Sequence, residues 1–412
     1  MTRFYRRKLT FTGGVQYDKL RHANPVVEGD GIAAFDRSVG VWEATTNLQR
    51  NGGVETNLTF WNVFGVGVTI TRISTQKKFG SWSAEMVTPG SVGDERTEVD
   101  GVANGQAWAA ATKVMGSVWL RGSGGAVDVM TRIVNTDAST TDSARTTITL
   151  SSTWTRVTAL ATVAGGKTGD RAIVLVLTGG TPHVVTCDMD GVQVEAQPIA
   201  TPYVETDGAT ATRAGARASA PLLSVWKQPV QGWVAVRVRP RWAATDDIYS
   251  GNFVRVVELG PDDVSNVLLV FDPSIDSWSV GRTKESVTQW ASVASTHVSG
   301  DTVTLVAAWE TASTVRISVN GAAFVSATTA PEPTAWSDVV FGIGNHPTLV
   351  TVAADGEFLW GLAGGGVLTS DIAEAIHNIG NGKPTFYDVP DLAELAWLWT
   401  CEDEYCWMRR LD

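Results

Sequence analysis

The stretch Asp188-Met189-Asp190-Gly191-Val192-Gln193-Val194-Glu195, continuing through Pro198-Ile199-Ala200-Thr201-Pro202-Tyr203-Val204-Glu205-Thr206-Asp207-Gly208, decides how the chain is read. Val184 to Glu195 reads as a strand interrupted at Asp190-Gly191. Val192 and Val194 alternate with Gln193 and Glu195, the period of a half-buried strand. Pro198 and Pro202 cannot donate to a ladder, and they push the chain into an extended exit. The stretch closes one β-domain and leads toward another.

The same period runs upstream. Trp61 to Ile73 reads as one strand, with Phe64, Val66, Val68 and Ile70 on one face and Trp61, Val63, Thr69 and Thr71 on the other. In Lys113 to Arg121, Val114, Val118 and Leu120 point one way; Lys113, Ser117, Trp119 and Arg121 point the other. With Lys78 to Val87, Ser152 to Thr158 and Arg171 to Leu177, about eight strands with Gly-rich turns make a two-sheet jelly roll. The closing Asp-Gly-Val-Gln-Val-Glu and the following Ala200 to Gly208 resemble the end of a carbohydrate-binding-module-like jelly roll. That form is common in bacteriophage virion proteins. Asn47-Leu48-Gln49-Arg50-Asn51-Gly52-Gly53-Val54-Glu55 resembles the family's opening, with Val54 where an aromatic is usual. Ser152-Thr153-Trp154-Thr155-Arg156-Val157-Thr158 resembles the family's Trp-Thr-Arg-Val-Ser strand.

A second sandwich follows. Trp233 to Arg239 alternates strictly, and Phe253 to Leu259 and Asn266 to Phe271 read as strands. Asn320-Gly321 stands between Thr314 to Val319 and Ala322 to Ala327, and both residues accept positive φ, so a two-residue hairpin is expected. This order, with Gly356 to Ala363 after it, resembles a laminin-G-like, concanavalin-type sandwich. Thr369 to Asn378 reads as a short helix, with Ser370 or Asp371 as its N-cap and Gly380 as its stop. The fold class expected is all-β: tandem β-sandwiches, a jelly roll and then a laminin-G/concanavalin-like sandwich, with a short N-terminal arm and a C-terminal tail.

The boundaries expected are an arm over 1–46, the jelly roll over 47–205, a linker over 206–231, the second sandwich over 232–388 and a tail over 389–412. The arm is turn-rich, has a basic start and reads as docking on a neighbour or on the particle; a partly disordered leader is the alternative. The linker's Ala209 to Ala220 is small and polar, so an extended crossover is expected. In the tail, Asp391 and Glu394 have capping-box spacing, so Asp391 to Trp399 is either a helix or a closing strand.

Composition narrows the function. The 412 residues carry 18% charged side chains and a net charge of −11. That negative charge is spread along the chain, which speaks against nucleic acid, whose binding is driven by clustered Lys and Arg, and against an anionic membrane surface. No unbroken apolar run reaches spanning length, so membrane insertion is not expected. No signal peptide is read at the N-terminus, which fits assembly in a host cytoplasm and release in a virion. Cys187, Cys401 and Cys406 make an odd count, and a reduced state is expected, with a Cys401–Cys406 pair as the alternative. The five His are scattered, and no nucleophile, zinc or phosphate-loop motif stands in the chain, so an enzyme is not expected.

Binding is read from aromatics. Sugar rings have apolar C–H faces on which flat indoles stack, while neighbouring polar groups hydrogen-bond the hydroxyls. Trp119, with Lys113, Ser117 and Arg121 on its own face, is the first candidate; Trp61 and Trp82 come next. With 17 Trp in the chain, the competing reading for each is core or interface. The jelly-roll resemblance further implies a structural Ca²⁺ held by Glu55 and Asp190, with Asp188 nearby. A bulge or turn at Asp190-Gly191 is the alternative.

These readings give a virion structural protein. It would be a minor tail or tail-tip adhesin for host attachment that binds host-surface polysaccharide without catalysis. Its partners would be other virion subunits, met through arm and tail, and copies of itself, for example in a trimer. A non-binding scaffold or a capsid or tail decoration protein is the alternative, and a polysaccharide-degrading enzyme ranks behind both.

Overall fold

The computed structural model describes residues 5–8, 10–12, 17–18, 38–41, 45–213, 217–221, 231–246, 253–262, 265–284, 287–310, 314–328, 340–344, 354–364, 367–378, 395–402 and 405–410. Among these the fold is all-β except for one helix, Ser370–Asn378. The chain divides into two compact units. One is Thr45–Arg213, and the other joins Met1–Ala44 to Ala214–Asp412.

Thr45–Arg213 is a two-layer sandwich. One sheet has five strands, in the order Thr155–Thr162, Lys113–Ser123, Val185–Glu195, Ser83–Thr88, Thr69–Ile73. The other runs Thr140–Asp142, Ala126–Asn135, Gly169–Leu177, Arg96–Val99, Trp61–Phe64, and Thr146–Thr149 also pairs with Ala126–Asn135. Alternate residues of both sheets fill the space between them, among them Val114, Val118, Leu120, Val127, Val129, Val174 and Val176. Residues Thr45–Asn47 and Ala211–Arg213 pair antiparallel, with Thr45 opposite Arg213, so the two ends of the unit lie side by side.

The run expected as one strand from Trp61 to Ile73 is two strands in different sheets. Trp61–Phe64 joins the six-stranded sheet and Thr69–Ile73 the five-stranded one. Gly65 and Gly67 make the corner at φ values of 123° and 80°. Phe64 and Val66 consequently stand 41% and 83% exposed, while Val68, expected on the same face, is 7% exposed in the core.

The other unit is a second two-layer sandwich, of ten and seven strands. The larger sheet contains Gly232–Pro240, Val303–Glu310, Thr314–Val319 and Gly356–Gly364. The smaller contains Val254–Asp262, Ser265–Asp272, Ser277–Lys284 and Val287–Ala294. The segment expected to dock on a neighbour supplies strands to this unit. Tyr5–Lys8 pairs with Tyr405–Arg410, Thr10–Thr12 with Arg217–Pro221, and Ser38–Val41 with Gly356–Gly364. The physical reason is hydrogen bonding: short strands without a core of their own satisfy their backbone groups on existing sheets. The tail enters as strands Leu395–Glu402 and Tyr405–Arg410, with Cys401 directly opposite Cys406. The capping pair Asp391 and Glu394 lies outside the described residues.

Asn320 and Gly321 both take positive φ, 52° and 75°, and Ala322 N–H donates to Val319 C=O at 3.1 Å. The helix packs Ile372, Ala373 and Ile376 against Trp233, Trp360 and Leu362. Its first-turn amide Ile372 N–H donates to Thr369 Oγ1 at 3.4 Å, so Thr369 caps it one residue before the expected Ser370. No helix among the described residues is long and apolar enough to cross a membrane.

Candidate functional site

The site is built on the outer face of the five-stranded sheet. Val114, Val118 and Leu120 point into the core, so Lys113, Met115, Ser117, Trp119 and Arg121 point out. On one side Thr155–Thr162 places Arg156 opposite Trp119 and Thr158 opposite Ser117. On the other, Val185–Glu195 places Asp190 opposite Trp119 and Asp188 opposite Arg121, and Asp188 in turn faces Glu85 across the next strand pair. The register shifts between Ser117 and Trp119, where Gly191 stands at φ 58°. The Asp190-Gly191 interruption is therefore a β-bulge.

Residues 76–82 cross this face. Asp190 Oδ2 accepts the N–H groups of Lys78 and Phe79 at 2.8 and 2.9 Å, and Asp190 Oδ1 accepts that of Gly191 at 2.6 Å. The Glu55 carboxylate accepts the N–H of Ser81 at 3.0 Å and of Trp82 at 3.2 Å. Arg121 donates to Gln76 Oε1. The crossing carries Lys78 Nζ to 4.1 Å from the Trp119 ring centre and sets the Phe79 ring edge-on at 5.9 Å. A Cβ at Gly191 would fall 2.6 Å from Phe79 and 3.1 Å from Trp119, so only glycine admits this closure.

Electrostatics follow from burial. Asp190 has no exposed surface, and desolvation pushes its carboxyl up to about 6, outweighing the three N–H groups that favour the charged form; Glu55 adds to the rise. Burial and the nearby Glu85 raise Asp188, partly offset by Arg121, whose Nε lies 3.3 Å from Asp188 Oδ2.

The expected residues separate into three places. Trp119, Lys113 and Arg121 share the outer face and are half-buried. Ser117 shares it but has no exposed surface, and its hydroxyl accepts from Arg156 at 2.9 Å, so it is a support for Arg156 and no contact for a ligand. Trp61 is corrected: it is 5% exposed in the inter-sheet core, its Nε1–H donating to Asn51 C=O at 2.9 Å, and it offers no face to a sugar. Trp82 packs partly against the same core, with the Arg72 guanidinium 3.9 Å over its ring. Arg156, Lys78 and Phe79 were missed. Arg156 was visible as a strand residue, but only the strand order puts it beside Trp119.

The calcium expected at Glu55, Asp188 and Asp190 can be tested on the donor set. Calcium needs six to eight oxygen ligands. Here the oxygens of Glu55 and Asp190 face N–H donors, which a cation would have to displace. The backbone carbonyls of Val54 and Glu55 accept from Arg72, and Asp188 is paired with Arg121. Among the described residues no three His, Cys, Asp or Glu side chains are placed to share a metal ion. The residues as arranged do not fit the ion.

No family model matches the sequence, and no curated protein matches it either. Among solved structures the chain is similar to the CBM22-1 xylan-binding domain from Paenibacillus barcinonensis Xyn10C, at 11% identity over 38% of this chain and 96% of that one, with a TM-score of 0.27. It is similar to a CBM4 structure at 15% identity over 35% and 99% of the two chains, TM-score 0.27. A SAP-like pentraxin from Limulus polyphemus matches at 11% identity over 44% and 83%, TM-score 0.30. Likenesses this distant say nothing of a ligand.

Proposed function

We propose that the protein is a non-catalytic glycan-binding protein of a virion, attaching to host-surface polysaccharide through the outer face of the five-stranded sheet. One observation carries the binding reading. Trp119 stands half-buried on that face, with Arg156 opposite it and Arg121 two residues along the same strand. An indole supplies the apolar contact for a sugar ring, and the guanidinium groups supply donors for its hydroxyls. The virion setting, with other virion subunits and further copies of the chain as partners, is supported by the closing and opening motifs of the jelly roll.

A scaffold without ligand is the second reading, favoured by the position of Lys78 over the Trp119 ring. The two separate in a pull-down of the purified chain on host cell envelopes with competing polysaccharide. Saturable binding that the polysaccharide displaces and Trp119→Ala removes supports the adhesin. A folded chain that binds nothing supports the scaffold.

A further inference from the structure

Three tryptophans of the second sandwich lie across glycines of a neighbouring strand, and they are of two kinds. Trp309 covers Gly232 and Trp233 covers Gly364, so closely that a Cβ there would fall 2.7 and 2.5 Å from the indoles. These two are core residues, 1% and 3% exposed. Trp290 covers Gly281 in the same way, with three atoms of its six-membered ring 2.6 to 2.8 Å from the Cβ position. Trp290, however, is only half-buried. Beside it, at 4.8 Å between ring centres, is Phe253, which is 38% exposed.

Gly281 and Trp290 are direct partners between Ser277–Lys284 and Val287–Ala294. Trp278 and Val280 have no exposed surface, and Trp278 packs on Trp242 and Phe271 inside the sandwich. Residues 279, 281 and 283 alternate with them, so Trp290 lies on the outer face of the sheet. On that face a hydroxyl pair stands on each side of the indole. Ser279 and Ser292 meet at 2.8 Å, and Thr283 and Thr288 meet at 2.8 Å. The three cross-strand pairs contain no formal charge.

We propose that this strip is a second binding site, taking an uncharged sugar residue of a glycan. Glycine at 281 lets the indole lie on the backbone, so the platform is ordered before the ligand arrives. A pyranose stacked on the indole presents its C–H face inward and its hydroxyls to either side, where Thr288 and Ser292 can each donate and accept. Charge selects the occupant. A carboxylated or sulfated sugar would give up hydration with no cation in these three pairs to replace it, and Arg255, which the register places on the same face in the Ser279–Ser292 row, is already paired with Glu258 at 2.5 Å; a neutral ring loses nothing of that kind. The site is on a different sandwich from Trp119, so it stands or falls separately from the function proposed above.

Affinity electrophoresis of the full chain tests it, in native gels containing xylan, mixed-linkage β-glucan, galactomannan or polygalacturonate. Retardation by at least one neutral polysaccharide is expected, kept in Trp119→Ala and weakened at least tenfold in Trp290→Ala. Thr288→Val keeps the side-chain volume and removes the hydroxyl bonded to buried Thr283, so a loss of roughly two- to fivefold in binding is expected in a chain that stays folded, with a melting temperature lowered by a few degrees. No retardation by the neutral gels, stronger retardation by polygalacturonate, or undiminished retardation of Trp290→Ala would overturn the proposal. Loss in Trp119→Ala but not in Trp290→Ala would overturn it while leaving the first site in place.

Discussion

The ammonium group of Lys78 lies 4.1 Å from the centre of the Trp119 ring. A sugar that stacks on that face must first move the lysine. A cation–π contact of this kind is worth about 0.5–1 kcal/mol at an exposed site. Lys78→Ala is therefore expected to strengthen glycan binding at the Trp119 face about two- to fivefold, while Trp119→Ala abolishes binding at that face. Titration of both variants with the polysaccharide that displaces the wild type from envelopes checks this. Weaker binding by Lys78→Ala would make the lysine a ligand contact instead of a cover.

Asp190 ties stability to pH. Its folded-state pKa, about 6, lies above the ordinary 3.8. Below about pH 4 the carboxyl is protonated in folded and unfolded chains alike, and no charge is buried. As pH rises from 4 to 6 the unfolded chain releases its proton first, so stability falls, and the full cost stands above pH 6. Two pKa units correspond to about 3 kcal/mol. Asp190→Asn should remove this component, so the difference in unfolding free energy between the two proteins should change by about 2–3 kcal/mol between pH 4 and pH 7. Urea titrations at both pH values measure it, and a constant difference would show that Asp190 is not the titrating group.

Trp61 and Trp119 should behave as different kinds of residue. Trp61→Ala opens a cavity in the inter-sheet core and leaves the Asn51 carbonyl without its donor, at an expected cost of about 3–5 kcal/mol. Trp119→Ala, at the half-buried outer face, should cost about 1 kcal/mol. Equal losses in denaturant midpoint would mean that Trp119 also holds the fold.

Arg72 ties down the backbone beside Glu55, one of the residues expected to hold calcium. It donates to the carbonyls of Val54 and Glu55 and covers the Trp82 ring. EDTA should leave the melting temperature unchanged, while Arg72→Met should lower stability by about 2–4 kcal/mol through the loss of charged hydrogen bonds. A melting temperature that drops with EDTA and returns with calcium would restore the ion at Glu55 and Asp190.

The strand period made the outward direction of Trp119 legible, together with its company of Lys113, Ser117 and Arg121. It could not show what lies over that face. Lys78 and Phe79 reach Trp119 because Asp190 and Glu55 hold the backbone of their segment, a relation across 112 and 26 residues of sequence respectively. Period-two reading also failed between Trp61 and Ile73, because alternation can continue through a corner at Gly65 and Gly67 while the chain changes sheets. Thr45 to Arg213 closes on itself, so its strands announced themselves locally. Before Thr45, Tyr17–Asp18 and Ser38–Val41 pair with each other, but Tyr5–Lys8 finds its partner at Tyr405–Arg410, and no pattern within either segment reveals the other.

The pairing of Thr45 with Arg213 has a consequence for biosynthesis. The inserted unit emerges whole once its last strand leaves the ribosome, and it can fold while the surrounding unit is still incomplete. The strands Tyr5–Lys8 and Thr10–Thr12 are made before the insert yet must wait for residues up to Arg410 and Pro221 before they can pair. During that interval the finished insert is what holds the ends of the gap together. A chain arranged in this way can exchange its insert for another with equally close ends without disturbing the order in which the host unit is assembled.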